Sequence, residues 1–154
     1  MTMPAPATVF AIANNGIIFF WLLLVVAPRW RVTDILVNSV AIPTVLGLTY
    51  IWMLGSAMLF GTPPAGSSFS SLAGVMALFS SPVAMTGAWI HFLIFDLFIG
   101  AWEVRDAQRR GLSHFAVIPC LIVTLLFGPA GLLLYFAVRA AFGKGGFSTR
   151  ETPA

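Results

Sequence analysis

Charged side chains are scarce in this sequence. Only 8% of its 154 residues are Asp, Glu, Lys or Arg, against about 25% in soluble domains. With a mean hydropathy of +0.96, that excludes a water-soluble globular domain and points to an integral membrane protein. Histidine is nearly absent too. His91 and His114 are the only two, too few for a membrane di-iron oxygenase, and their spacing to the carboxylates matches no recognised metal site. No metal and no cofactor are expected. A single cysteine, Cys120, excludes an internal disulfide. There is no phosphate-binding glycine loop and no nucleophile elbow. The eight Lys and Arg residues flank apolar runs and do not cluster on one polar face, which argues against nucleic-acid binding. Met1 to Thr8 contains no Lys or Arg, so the first apolar run reads as a permanent span and not as a cleaved signal.

Long apolar runs are what the chain does have. A bilayer takes about 20 helical residues to cross, and four runs reach that length: about 8–27, 35–60, 83–104 and 115–138. Alternation of apolar and polar residues is missing, and four strands cannot close a barrel. Gly61-Thr62-Pro63-Pro64-Ala65-Gly66-Ser67-Ser68 marks a loop after the second run. Leu72, Val75, Met76 and Phe79 then recur at helical spacing before Pro82. This stretch, about 69–81, is too short to span and predicts an interfacial or re-entrant helix, in its sharper form a lid over a lipid-accessible cavity. The expected fold is thus an all-α integral membrane protein, a compact bundle of four transmembrane helices plus that short helix before the third. One domain covers 1–142 and a flexible polar tail covers 143–154.

Arginines set the expected orientation. Arg29, Arg31, Arg105, Arg109 and Arg110 follow the first and third runs, while Arg139, Lys144 and Arg150 follow the fourth. Five against three favours the two short loops facing the cytoplasm or an equivalent compartment, with both termini opposite.

Gly87 to Phe98 reads GAWIHFLIFDLF and places His91 and Asp96 inside a spanning segment. An acid at such depth costs about 2.5–3.5 kcal/mol on insertion scales, and intramembrane ionisable groups are functional candidates by default. At about 1.5 Å of rise per residue, Asp96 and Thr124 lie roughly 12–13 Å from the arginine-rich side. His91, Asn14, Asn15, Thr49 and Gly128-Pro129 lie near a second level at roughly 20 Å. Asp34, Asn38 and Glu103 form a third layer near the arginine-rich interface. Trp89, Asp96 and Glu103 share a face of the third helix, with Gly100 one turn from Asp96, whereas His91 stands about 140° away from Asp96. Polar groups in lipid must find partners, so this pattern predicts one internal cavity with two polar levels. Asp96 and His91 are the candidate catalytic residues. Trp89, Gly100, Asn14, Asn38, Thr49 and Thr124 are the candidate substrate-binding residues. Thr124, Gly128, Gly131 and Tyr135, ending at Arg139, form a packing stripe, and Gly128-Pro129 predicts a kink.

Plainer readings exist for the same residues. Asp96 could lock the bundle by bonding Thr124 or Asn38, and His91 could bond a carbonyl at the kink. Asn14-Asn15 suits helix–helix glue. Glu103, Asp106, Arg105, Arg109 and Arg110 read as solvated or snorkelling groups near the membrane surface.

The run Leu78 to Phe98, LFSSPVAMTGAWIHFLIFDLF, resembles the signature of the abscisic-acid-deficient-four-like membrane proteins. Val26-Ala27-Pro28 and Leu126-Phe127-Gly128-Pro129-Ala130-Gly131 extend the resemblance over about residues 10–140. Plant members of that family are linked to neoxanthin synthesis, the isomerisation of a carotenoid diepoxide to an allenic alcohol without net redox. The plant transit peptide has no counterpart here, so a bacterial or algal-core form and the bacterial inner membrane are expected. The resemblance implies a carotenoid or isoprenoid epoxide isomerase-like enzyme, for which a desolvated Asp suits the acid and a neutral His the base. The alternatives are a non-catalytic lipid- or pigment-binding membrane protein and a small structural bundle. Expected partners are membrane lipid, a hydrophobic carotenoid-like molecule and, in a homo-oligomer, a second copy.

Overall fold

The computed structural model describes residues 5–145 and 149. They form seven helices and no strand: α1 (Pro6–Val26), α2 (Arg31–Leu36), α3 (Ala41–Phe60), α4 (Leu72–Phe79), α5 (Pro82–Arg109), α6 (His114–Phe127) and α7 (Pro129–Ala141). The chain divides into two compact units, 1–17 with 42–94 and 18–41 with 95–154. Helices α1 and α5 each pass from the first unit into the second. Three stretches are long and apolar enough to cross a membrane: Pro6–Val26, Arg31–Phe60 and Pro82–Arg109.

In the first unit, Ala13, Ile17, Met53, Ala84, Ile90 and Leu93 form the buried core. Pro82 opens α5, a position where a missing N–H costs nothing. The predicted short helix over 69–81 is real but shorter. Ser71 caps α4 by accepting the Gly74 amide at 3.1 Å, and Gly74 lies so close to Ser68 that a Cβ there would stand 2.6 Å from the Ser68 Cβ.

In the second unit, Thr33 Oγ1 donates to Ala27 O at 2.7 Å and fixes the corner between α1 and α2. The predicted second run is interrupted. Residues 37–40 separate α2 from α3, and the Ser39 hydroxyl accepts the Ala41 amide at 3.1 Å to start α3. The third run extends five residues past its expected end, to Arg109.

The fourth run corrects the expectation most. It is not one helix over 115–138 but two, α6 and α7, folded back on each other. Gly128 turns the chain with φ +44°, and Pro129 has no N–H with which to continue α6. The backbones then cross so closely that any Cβ on Gly131 would collide with Thr124. Both free ends of this hairpin lie beside the end of α5, where Arg110 Nη1 donates to Lys144 O at 3.3 Å. With 14 and 13 residues, each arm is about 20 Å long, short of the roughly 30 Å hydrocarbon core. Of the expected tail, residues 146–148 and 150–154 lie outside the described residues.

Candidate functional site

No Asp, Glu, Lys or Arg occurs in the first unit. Two adjoining apolar cavities lie there. One, about 330 Å³, is lined by Tyr50, Phe69, Phe79, Ala88, His91 and Phe92 among others. The other, about 510 Å³, lies towards the 61–68 loop, and the two share Leu54, Phe69, Leu78 and Ala84. The His91 ring packs against Tyr50 with centroids 5.9 Å apart and against Phe92 at 6.0 Å. Met58, Phe60 and Phe69, all at the larger cavity, are more than four-fifths exposed. The groove is therefore rimmed by hydrocarbon and offers a lipid-dissolved molecule no charge to desolvate.

The remaining candidates of this unit have local duties. Asn14 Oδ1 accepts the Trp89 indole N–H at 2.9 Å, and Phe10 packs on the same indole at 5.8 Å. Thr49 donates to Val45 O at 2.9 Å, one turn back on α3.

In the second unit Asp96 stands against the hairpin turn. A Cβ on Gly128 would lie 2.6 Å from Asp96 Oδ1. No hydrogen bond reaches the Asp96 carboxyl among the described residues. Gly100 is filled by protein and leaves no room for a ligand, since Trp21 approaches to 2.7 Å of where its Cβ would be. Asn38 takes a hydrogen bond from Arg105 at 3.0 Å and donates to Asp34 at 2.8 Å, at the basic end of the unit. Thr124 donates to Glu103 Oε1 at 2.9 Å, so its partner is Glu103 and not Asp96. Gly128 likewise belongs beside Asp96 and not at the expected His91 level.

The acids expected to be solvated are the most buried ones. Glu103 is 0% and Asp106 1% exposed. Asp106 Oδ2 accepts from Tyr135 OH at 2.7 Å, Arg139 Nη1 at 2.8 Å and Arg110 Nε at 2.8 Å. Arg139, read from sequence as a tail cation, is fully buried and stacks over Phe136 at 4.8 Å. Three donors, one of them the stacked Arg139 guanidinium, satisfy Asp106, which marks this cluster as the fastening of α7 to α5. Glu103 Oε2 is buried with no hydrogen-bond partner among the described residues. Sequence reasoning also missed Tyr50 and Phe69. Tyr50 had a signal, a hydroxyl-bearing aromatic inside an apolar run, whereas Phe69 had none. No group of three or more His, Cys, Asp or Glu able to hold a metal occurs among the described residues.

Comparison with known proteins agrees with the motif reading. A family model described as ABA DEFICIENT 4-like matches residues 8–135. Protein ABA DEFICIENT 4, chloroplastic, of Arabidopsis thaliana is 30% identical over 147 residues, covering 90% of this chain. The chain spans 64% of that relative's length. The relative's name places that protein in the chloroplast and lends no support to the bacterial inner membrane. No solved structure matches. The match runs from α1 into α7, through the groove, His91, Asp96 and the hairpin turn, and on it this chain belongs to the ABA DEFICIENT 4-like family.

Proposed function

We propose that this is a multi-pass membrane protein that takes up one end of a carotenoid or similar isoprenoid in the first unit's groove and isomerises an epoxide. The carrying observation is His91. Among the lining residues it carries the only imidazole, a group able to take or give a proton, and it lines a groove in a unit without Asp, Glu, Lys or Arg. An isoprenoid of bilayer length, roughly 30 Å, exceeds either cavity, so an end group enters and the rest lies in lipid.

The chemistry balances without a cofactor. An acid gives a proton to the epoxide oxygen as one C–O bond breaks. A base removes a proton from the neighbouring carbon, and that C–H electron pair becomes the new double bond. His91 is assigned the base. Asp96 is the candidate acid, on the rarity of a carboxyl inside an apolar run and on the lack of any hydrogen bond to it among the described residues. Expression in a host that accumulates a carotenoid diepoxide, followed by chromatography of the pigments, tests this. The wild-type protein is expected to yield an isomer of unchanged mass. His91→Ala and Asp96→Asn are each expected to lower its yield at least about 100-fold, the lower range for acid–base groups. Undiminished product from Asp96→Asn would remove Asp96 from the mechanism.

The second reading is a pigment- or lipid-binding protein without chemistry, favoured by how little of the groove lining is polar. It predicts that unchanged carotenoid co-purifies with the protein and that His91→Ala alters the pigment's absorption band but forms no product in either version.

A further inference from the structure

Only half of the Asn14-Asn15 pair is used within the chain. Asn14 bonds Trp89. Asn15 is exposed, and no hydrogen bond reaches its carboxamide among the described residues. At 100° per residue, Asn15 points almost opposite the buried Ala13, Ile17 and Leu24. It lies at the centre of the outward face of a 21-residue helix apolar enough to cross a membrane. Thr8, Ile12, Asn15, Phe19, Leu22 and Val26, all exposed, follow one another at alternating intervals of four and three residues. That is a seven-residue repeat, the spacing that keeps one seam of a helix facing a partner helix.

A carboxamide facing hydrocarbon has two donors and an acceptor with nothing to bond. The cheapest remedy is another carboxamide, because the group is self-complementary: each offers the donor that the other accepts. A two-fold axis beside Asn15 would supply that partner from an identical chain, and a single Asn in an apolar seam is the device that fixes two-stranded pairing and register.

We infer that this protein forms a homodimer in the membrane through the outward face of α1, with Asn15 of one copy bonded to Asn15 of the other. The inference uses the membrane placement of α1 proposed above and is independent of the catalytic reading. The test uses full-length protein in lipid vesicles, in a Cys120→Ala background. Oxidative cross-linking is expected to join Ile12→Cys and Phe19→Cys chains at least several-fold faster than Phe20→Cys, which points towards the core. Dimer association by energy transfer is expected to weaken roughly three- to thirty-fold in Asn15→Val, the range for interhelical polar contacts in lipid, and to be retained in Asn15→Gln. A monomer that stays in the membrane through alkaline carbonate would overturn the dimer alone, and an Asn15→Val dimer as tight as wild type would overturn the Asn15 contact. Release by carbonate would overturn the membrane placement with it.

Discussion

Arg139 shows how far a single residue can sit from its sequence reading. It follows a long apolar run and looks like a flanking cation, yet it is buried to 0% exposure against Asp106, 33 positions earlier. Hydropathy assigns a lone arginine to a boundary because it scores each residue by its immediate neighbours. Burial here depends on a partner that only the chain reversal supplies. A buried pair is strongly destabilised when one member is removed, because the other is left without compensation. Arg139→Met is expected to cost about 3 kcal/mol, the lower end for such pairs, since Arg110 and Tyr135 still bond Asp106. Adding Asp106→Asn is expected to cost less than the sum of the two single changes. Denaturant unfolding in micelles, arranged as a double-mutant cycle, reads both. Strict additivity would mean that the 2.8 Å contact carries no coupling.

Among the elements, hydropathy and helical period reveal α1, α3, α5 and the short α4 well, with ends displaced by a few residues. The break at Gly128-Pro129 was also visible, as a kink. Its extent was not, because a run of apolar residues scores the same whether it continues across the membrane or returns. The deciding facts are steric: Gly128 at positive φ and Gly131 admitting no Cβ against Thr124. The candidate site was legible in part for a related reason. His91 and Asp96 stand out by rarity alone, but assigning Gly100, Asn38 and Thr124 to a cavity assumed one straight helix and free side chains, whereas each has a protein neighbour. Gly128→Ala tests the turn. A φ of +44° with ψ −97° is a sparsely populated conformation that costs an L-residue about 1–3 kcal/mol, and the new methyl also overlaps the Asp96 carboxylate. Asp96→Ala in the same chain is expected to recover the overlap and leave the backbone cost. Equal thermal stability of Gly128→Ala and wild type would argue against the turn.

For the molecule as a whole, charge is segregated. Every described Lys and Arg (Arg29, Arg31, Arg105, Arg109, Arg110, Arg139 and Lys144) belongs to the second unit, and the first has none. The five-to-three division expected for four straight spans rested on carrying Arg139 and Lys144 to the far side. The hairpin returns them to the end of α5, where Gly111 and the Lys144 amine are near neighbours. The positive-inside bias then has no opposing count among these residues. Cysteines at Gly111 and Lys144 are expected to react with an impermeant maleimide from the same side of sealed vesicles. Labelling of the two positions from opposite sides would restore a fourth crossing.

The returning hairpin also bears on how the chain enters a bilayer. In the membrane placement proposed above, a segment that dips in and comes back brings its flanking cations to the side they started from, so Arg139 and Lys144 are not translocated. In that placement the polar stretch carried through the hydrocarbon is the Gly61–Ser71 connection, which holds glycine, proline, serine and threonine but no charge. Insertion of this protein thus avoids moving an ion through oil at that step, and one added lysine in the connection should slow it more than any substitution in the tail.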